Sequence, residues 1–192
     1  MPKPYAPSGR VFVLHDGRWE DEIVTESGIK LYKDTTFNPE WGVRIYGTVA
    51  TTPLDGNCEV SEGDKVYFHY FTLQCEENKV TVDGVDYWAA ELDKVFVKVV
   101  DGQIIPVHGW CLIDIGVKEI DHSTIIIPDF VKKKQVDTYG TLSYSPAGCE
   151  VPAGSTVYFR NIFAFKNEIE GKEYYLMNKN DIECYRLNDS SL

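Results

Sequence analysis

Positive charge is scarce in this chain: 19 Lys and Arg stand against 30 Asp and Glu, a formal net charge of −11 over 192 residues. A phosphate backbone is gripped by a basic face, so no nucleic-acid partner is expected. The one basic run, Lys132-Lys133-Lys134, reads as a solvated loop. No stretch approaches the roughly 20 consecutive apolar residues of a membrane span, so no membrane role is expected. The opening Met1-Pro2-Lys3-Pro4 lacks the apolar core of a signal peptide. The five cysteines are an odd set without framework spacing, which points to a reduced, cytoplasmic setting. Helical periodicity is also missing: no window carries an amphipathic pattern long enough for a stable helix.

Repetition, by contrast, is plain. Cys58 to Phe68 reads Cys-Glu-Val-Ser-Glu-Gly-Asp-Lys-Val-Tyr-Phe, and Cys149 to Phe159 reads Cys-Glu-Val-Pro-Ala-Gly-Ser-Thr-Val-Tyr-Phe. Seven of eleven positions are identical without a gap, at an offset of 91 residues. Tyr46-Gly47-Thr48 and Pro53 recur as Tyr139-Gly140-Thr141 and Pro146; Gly84 and Tyr87 recur as Gly171 and Tyr174. Ser27, Ile29 and Leu31 align with Ser123, Ile125 and Ile127. A period of about 90 residues is too long for a solenoid unit and fits a small domain copied in tandem. The junction falls in Val100-Asp101-Gly102-Gln103, which divides the chain into 1–102 and 103–192.

Each copy reads as a series of short strands. Val11 to Leu14 and Trp110 to Ile113 open them, and Arg44 to Thr48 and Tyr139 to Tyr144 alternate in the period of a half-buried strand. Val66 to Phe71 and Val157 to Phe159 are β-branched and aromatic throughout, which suits central strands. Glycine turns at Asp83-Gly84 and Glu170-Gly171 precede aromatic strands, a single turn, and closing strands at Lys94–Val100 and Ile182–Leu187. The pattern predicts an all-β fold of two small barrels.

In order and spacing these segments resemble the GroES-type co-chaperonin domain, twice over. In the first half they are Gly28-Ile29-Lys30-Leu31, Gly47-Thr48-Val49-Ala50, Val60 to Phe68, Gly84 with Tyr87, and Val95-Phe96-Val97. In the second they are Ile125-Ile126-Ile127, Gly140-Thr141-Leu142, Val151 to Phe159, Gly171 with Tyr174, and Asp181-Ile182. The resemblance covers nearly the whole chain, from about Val11 to about Leu187. It implies a tandem pair of GroES-like β-barrels that forms a homo-oligomer and assists folding on a GroEL-like chaperonin ring. Binding would run through the apolar–x–apolar tripeptides Ile29-Lys30-Leu31 and Ile125-Ile126-Ile127. Two alternating apolar anchors on an extended segment can fill two adjacent pockets while the middle residue faces away.

Three features depart from that family. Pro53 to Glu59 and Pro146 to Glu150 leave only tight connections where the ring-forming members carry a roof hairpin. A tandem chain cannot supply an odd number of domains in whole copies. The first loop, Asp34 to Tyr46, holds Phe37, Pro39 and Trp41, which read first as a cover for the barrel and second as a surface that docks on a partner. These departures keep a second reading open: a non-catalytic structural module of a larger assembly, such as a virion or scaffold component.

Enzyme chemistry is not expected. A related barrel serves zinc alcohol dehydrogenases, but those chains need a dinucleotide-binding half, and no Gly-x-Gly-x-x-Gly occurs here. His108 with Cys111, and His69 with Cys75, are the nearest approaches to metal-ligand spacing and lack companions, so neither metal nor cofactor is expected. Glu20-Asp21-Glu22 and Glu76-Glu77 read as solvated loop charge.

Overall fold

Short period-two runs separated by glycine turns satisfy their backbone groups by pairing edge to edge, and this chain does so in two main antiparallel sheets. The structure, a computed structural model, describes residues 4–15, 22–25, 27–32, 45–115, 117–119, 133–135, 139–159 and 165–188. It divides into two compact units, Met1–His108 and Gly109–Leu192.

The first unit contains β1 (Arg10–Leu14), β2 (Glu22–Val24), β3 (Lys30–Tyr32), β4 (Tyr46–Thr51) and β5 (Lys65–Phe68). A one-turn helix α1 (Phe71–Gln74) follows, then β6 (Lys79–Val82), β7 (Val85–Glu91), β8 (Val95–Val100) and β9 (Gln103–Pro106). Seven of these strands form one sheet in the order β6-β7-β1-β4-β5-β8-β9, while β2 and β3 pair only with each other. The second unit contains β10 (Trp110–Asp114), β11 (Val117–Glu119), β12 (Lys133–Gln135), β13 (Tyr139–Tyr144), β14 (Thr156–Phe159), β15 (Phe165–Ile169), β16 (Lys172–Asn178) and β17 (Ile182–Arg186). Its sheet runs β15-β16-β10-β13-β14-β17, with β11 and β12 again a separate pair. Strand for strand this repeats the first order, except that among the described residues β9 has no equivalent beside β17. The architecture is all-β, with two antiparallel sheets; among the described residues no pairing joins the two edges of either sheet.

The duplication extends to register. Tyr46 faces Tyr67, Gly47 faces Val66 and Thr48 faces Lys65; Tyr139 faces Tyr158, Gly140 faces Val157 and Thr141 faces Thr156. Irregular steps fall at matching points, between Phe12 and Val13 and between Leu112 and Ile113. They recur between Tyr67 and Phe68 and between Tyr158 and Phe159. The repeated phrase makes one device twice. Gly63 (φ 89°) donates to the Val49 carbonyl at 2.8 Å, and Val49 donates back to the Asp64 carbonyl at 2.9 Å. Gly154 (φ 90°) and Leu142 do the same through Ser155, at 2.7 and 2.9 Å. Only glycine holds that left-handed angle without strain.

Each unit buries its own core. In the first, Val11, Val13, Val49, Val60, Val66, Phe68, Trp88 and Ala90 cluster together. In the second, the matching positions are Cys111, Ile113, Leu142, Val151, Val157, Phe159, Tyr175 and Met177. The smaller ring of Tyr175 sits with a larger neighbour, Met177, where Trp88 sits with Ala90, so volume is exchanged within the layer. Fully burying a side chain such as Phe68 or Val66 contributes roughly 1.5–3 kcal/mol.

Two assignments made from sequence change. The unit boundary lies between His108 and Gly109 rather than between residues 102 and 103. Asp101 (φ 50°) and Gly102 (φ 77°) form a two-residue hairpin turn, which folds β9 back onto β8 instead of linking the units. The run Val66 to Phe71 also stops being a strand at Phe68. Tyr70 is in the helical region and α1 begins at Phe71, so that Thr72 and Leu73 are buried. A single helical turn is too short to show a 3.6-residue period, and the aromatic residues mimic a strand.

Gly47 and Gly140 are tied to the close approach of the first and second sheet strands. A Cβ at either would lie 2.6 Å from a backbone carbonyl oxygen, of Leu14 or of Asp114 respectively. Gly47→Ala and Gly140→Ala are each expected to destabilise the fold by roughly 2–3 kcal/mol. Urea unfolding followed by circular dichroism checks this; an unchanged midpoint would mean that the strands separate at no cost.

Candidate functional site

The candidate site is the tip of the β2–β3 hairpin. A threonine and a glycine three residues apart close its turn: the Gly28 amide (φ 79°) donates to the Thr25 carbonyl at 2.8 Å, and the Thr25 amide donates to the Ile29 carbonyl at 2.9 Å. The Thr25 hydroxyl accepts from the Ile29 amide at 3.0 Å and lies 2.9 Å from the Ser27 hydroxyl. A turn whose last residue is left-handed glycine is a common three-residue hairpin closure. The result holds Ile29 outward, 59% exposed, with Lys30 exposed beside it. In the ladder Lys30 faces Val24 and Leu31 faces Ile23.

Ile29 and Lys30 of the first tripeptide therefore lie outside the core, while Lys30 and Leu31 belong to a paired strand rather than to an open loop. Ile125, Ile126 and Ile127 lie outside the described residues, in the part of the chain that joins β11 to β12. Both tripeptides thus belong to the segment between the first sheet strand and the next, where each unit makes its separate two-stranded pair. Lys133 and Lys134, read from sequence as loop, are in β12 opposite Glu119 and Lys118. Lysine has a weak strand preference, so the pairing partner and not the local sequence decides this. The aromatics Phe37 and Trp41 also lie outside the described residues. Sequence reasoning missed Thr25, whose hydroxyl orders the tip; the Thr-x-Ser-Gly composition of a turn is the signal that could have found it.

The other sites weighed from sequence resolve into separate surroundings. Cys111 is fully buried, and burial together with Cys149 pushes its thiol up to about 12. A thiol so poorly ionised is a poor nucleophile at neutral pH. The His108 ring faces Glu59, with Nδ1 3.9 Å from Oε1. His69 Nδ1 accepts from the Phe71 amide at 3.2 Å, and its ring stacks on Tyr70 with centroids 4.7 Å apart. Cys75 is exposed. Among the described residues no group of three or more His, Cys, Asp or Glu could hold a metal ion, and no helix is long and apolar enough to cross a membrane.

Among known proteins, no family model matches the chain and no curated protein matches it. What the β2–β3 hairpin can do follows from its geometry: among the described residues its strands pair apart from the main sheet, and its tip presents an exposed isoleucine.

Burial holds both His69 and His108 below the ordinary imidazole value of 6.5; Lys94 lowers His69 further, and Glu59 and Asp93 partly oppose the shift at His108. The unfolded chain therefore binds more protons as pH falls below about 6.5, and stability that is full above that value is lost toward the lower folded values. The urea midpoint is expected to drop between pH 7.5 and pH 5.5, and to drop less in the His69→Gln, His108→Gln double variant. Equal pH dependence in the two proteins would count against this assignment.

Proposed function

We propose that this chain acts by binding rather than by catalysis, as a tandem GroES-like co-chaperonin whose two units are small β-barrels in the sense of that family. The observation that carries the proposal is Ile29, more than half exposed at the end of a hairpin that belongs to neither main sheet. Ile29, Lys30 and Leu31, with Ile125, Ile126 and Ile127, would dock into apolar grooves on a GroEL-like ring. Burying one such side chain contributes roughly 1.5–3 kcal/mol before ordering costs, so a single hook binds weakly. Several hooks on one assembly bind tightly through effective concentration. By gripping one state of the ring better than the other, they would bias it and so assist ATP-dependent folding. The hydrogen bonds of Thr25 reduce the ordering cost, since the tip is already shaped. A reducing, cytoplasmic setting suits its five free thiols.

A homo-oligomer is part of the proposal, and β17 supports it. In the first unit β9 covers the outer edge of β8; among the described residues the matching strand β17 has no such neighbour, and Glu183 through Leu187 are exposed. Tyr185 is 46% and Leu187 52% exposed there. An uncovered edge with apolar side chains is a template for a strand from another chain.

The order of the Ile29 tip favours a second reading, the non-catalytic structural module, in which a preformed hairpin docks once and permanently into a larger assembly. Native mass spectrometry with a chaperonin ring and ATP separates the two. Complex formation is expected for the wild-type chain and is expected to fall at least tenfold for Ile29→Asp with Ile125→Asp, with unfolding midpoints unchanged. Binding unaffected by both substitutions removes the hooks from the function. In the absence of any ring, Tyr185→Lys with Leu187→Lys is expected to shift the native mass to that of a single chain; an unchanged mass assigns the oligomer contact elsewhere.

A further inference from the structure

The two units carry the same pair of tyrosines, and only the first places a cation over it. Tyr46 faces Tyr67 across β4 and β5, with ring centroids 5.5 Å apart and planes inclined at 45°. Tyr139 faces Tyr158 across β13 and β14 in the same way, at 5.8 Å and 38°. In the first unit Lys65 lies two residues before Tyr67, on the same face of β5. Its ammonium stands over both rings, 4.5 Å from the Tyr46 centroid and 5.4 Å from that of Tyr67. In the second unit Thr156 occupies that place in β14. Its hydroxyl donates to Asn188 Oδ1 at 3.0 Å, and the Asn188 side-chain amide donates to the Gly154 carbonyl at 2.6 Å. Among the described residues no lysine or arginine lies over Tyr139 or Tyr158. Exposure differs to match: Tyr139 is exposed and Tyr158 half-buried, whereas Tyr67 is buried. Exposed Cys184 faces Tyr158 where buried Val97 faces Tyr67, so the second pair is the more accessible from its neighbouring strand.

We propose that the Tyr139–Tyr158 pair is a binding site for the ammonium group of a lysine side chain carried by another protein. Aromatic faces are the negative side of the ring quadrupole, and the two tyrosines present theirs at nearly the separation and tilt of the filled pair. The first unit sets the chemistry of the occupant, because it fills the same geometry with a primary ammonium. The formal net charge of −11 steers a basic partner toward the chain. A cation–π contact at an exposed site gives about a two- to fivefold preference for the charged side chain. The pair therefore selects a lysine within a larger contact and does not hold a free amine tightly. This site stands apart from the Ile29 hairpin and does not depend on a chaperonin partner.

The test uses the full isotope-labelled chain with Nα-acetyl-lysine amide as the probe. Nα-acetyl-norleucine amide, which keeps the four-carbon stem without the charge, is the comparison. The backbone amide shifts of Tyr139, Gly140, Val157 and Tyr158 are followed by NMR at constant ionic strength. The lysine compound is expected to shift them saturably, with about two- to fivefold higher affinity than the norleucine compound. That preference is expected to vanish in Tyr139→Leu and in Thr156→Lys, which supplies the ammonium from within the chain. It is expected to persist in Thr156→Val, which loses only the bond to Asn188. Equal responses to the two compounds, no response, or a preference that survives Thr156→Lys overturns the proposal. A preference that appears only in Arg186→Gln also overturns it, because Arg186, opposite Thr156 in β17, would then be the cation. So do concentration-dependent shifts of these four amides in the chain alone, abolished by Thr156→Lys, which assign the ammonium to a second copy.

Discussion

The reciprocal backbone bonds between the glycine turn and the neighbouring strand set the geometry of both units. Val49 exchanges bonds with Gly63 and Asp64, and Leu142 exchanges them with Gly154 and Ser155. Each exchange places a buried valine, Val60 or Val151, under the sheet and starts the next strand in fixed register against the one before it. Without it the chain could slip by one residue, and a slip of one would turn Val66 and Phe68 away from the core cluster they now join. The phrase is the most exactly copied part of the sequence because it combines a required left-handed glycine, a core anchor and a strand start in eleven residues.

That same device explains why so much of the fold was legible. Wherever sequence and structure share a short-range cause, they agree: the β-branched runs at Val95 and Val157, the paired turns at Asp83-Gly84 and Glu170-Gly171, and the single turns before β8 and β17. Disagreement falls where a distant strand decides, and at Tyr70 and Phe71, where a single helical turn is too short to show its period. Ile104 and Ile105 carry the same residues whether they link two units or pair with Lys98 and Val99; only the Asp101-Gly102 turn and the free edge of β8 select pairing. Lys133 and Lys134 are strand because β11 lies opposite them.

The candidate site was legible in part. Ile29 stood out in sequence as an anchor of an apolar–x–apolar tripeptide, and its side chain is exposed at the hairpin tip. The hydroxyl of Thr25, which shapes that turn, is an ordinary residue in sequence and becomes informative only once its bonds are drawn.

The place of β9 has a practical meaning for dissecting the molecule. Cleavage after Gly102, where the repeat invites it, would strip one sheet of its outermost strand and pull Val107, 1% exposed, from the core it completes. The orphaned half would present a sticky backbone edge along Val95–Val100, and the other half would drag a greasy, homeless leader ahead of Trp110. Severing instead between His108 and Gly109, six residues beyond the point where the repeat invites it, leaves each piece with the strands it pairs and the core cluster it buries.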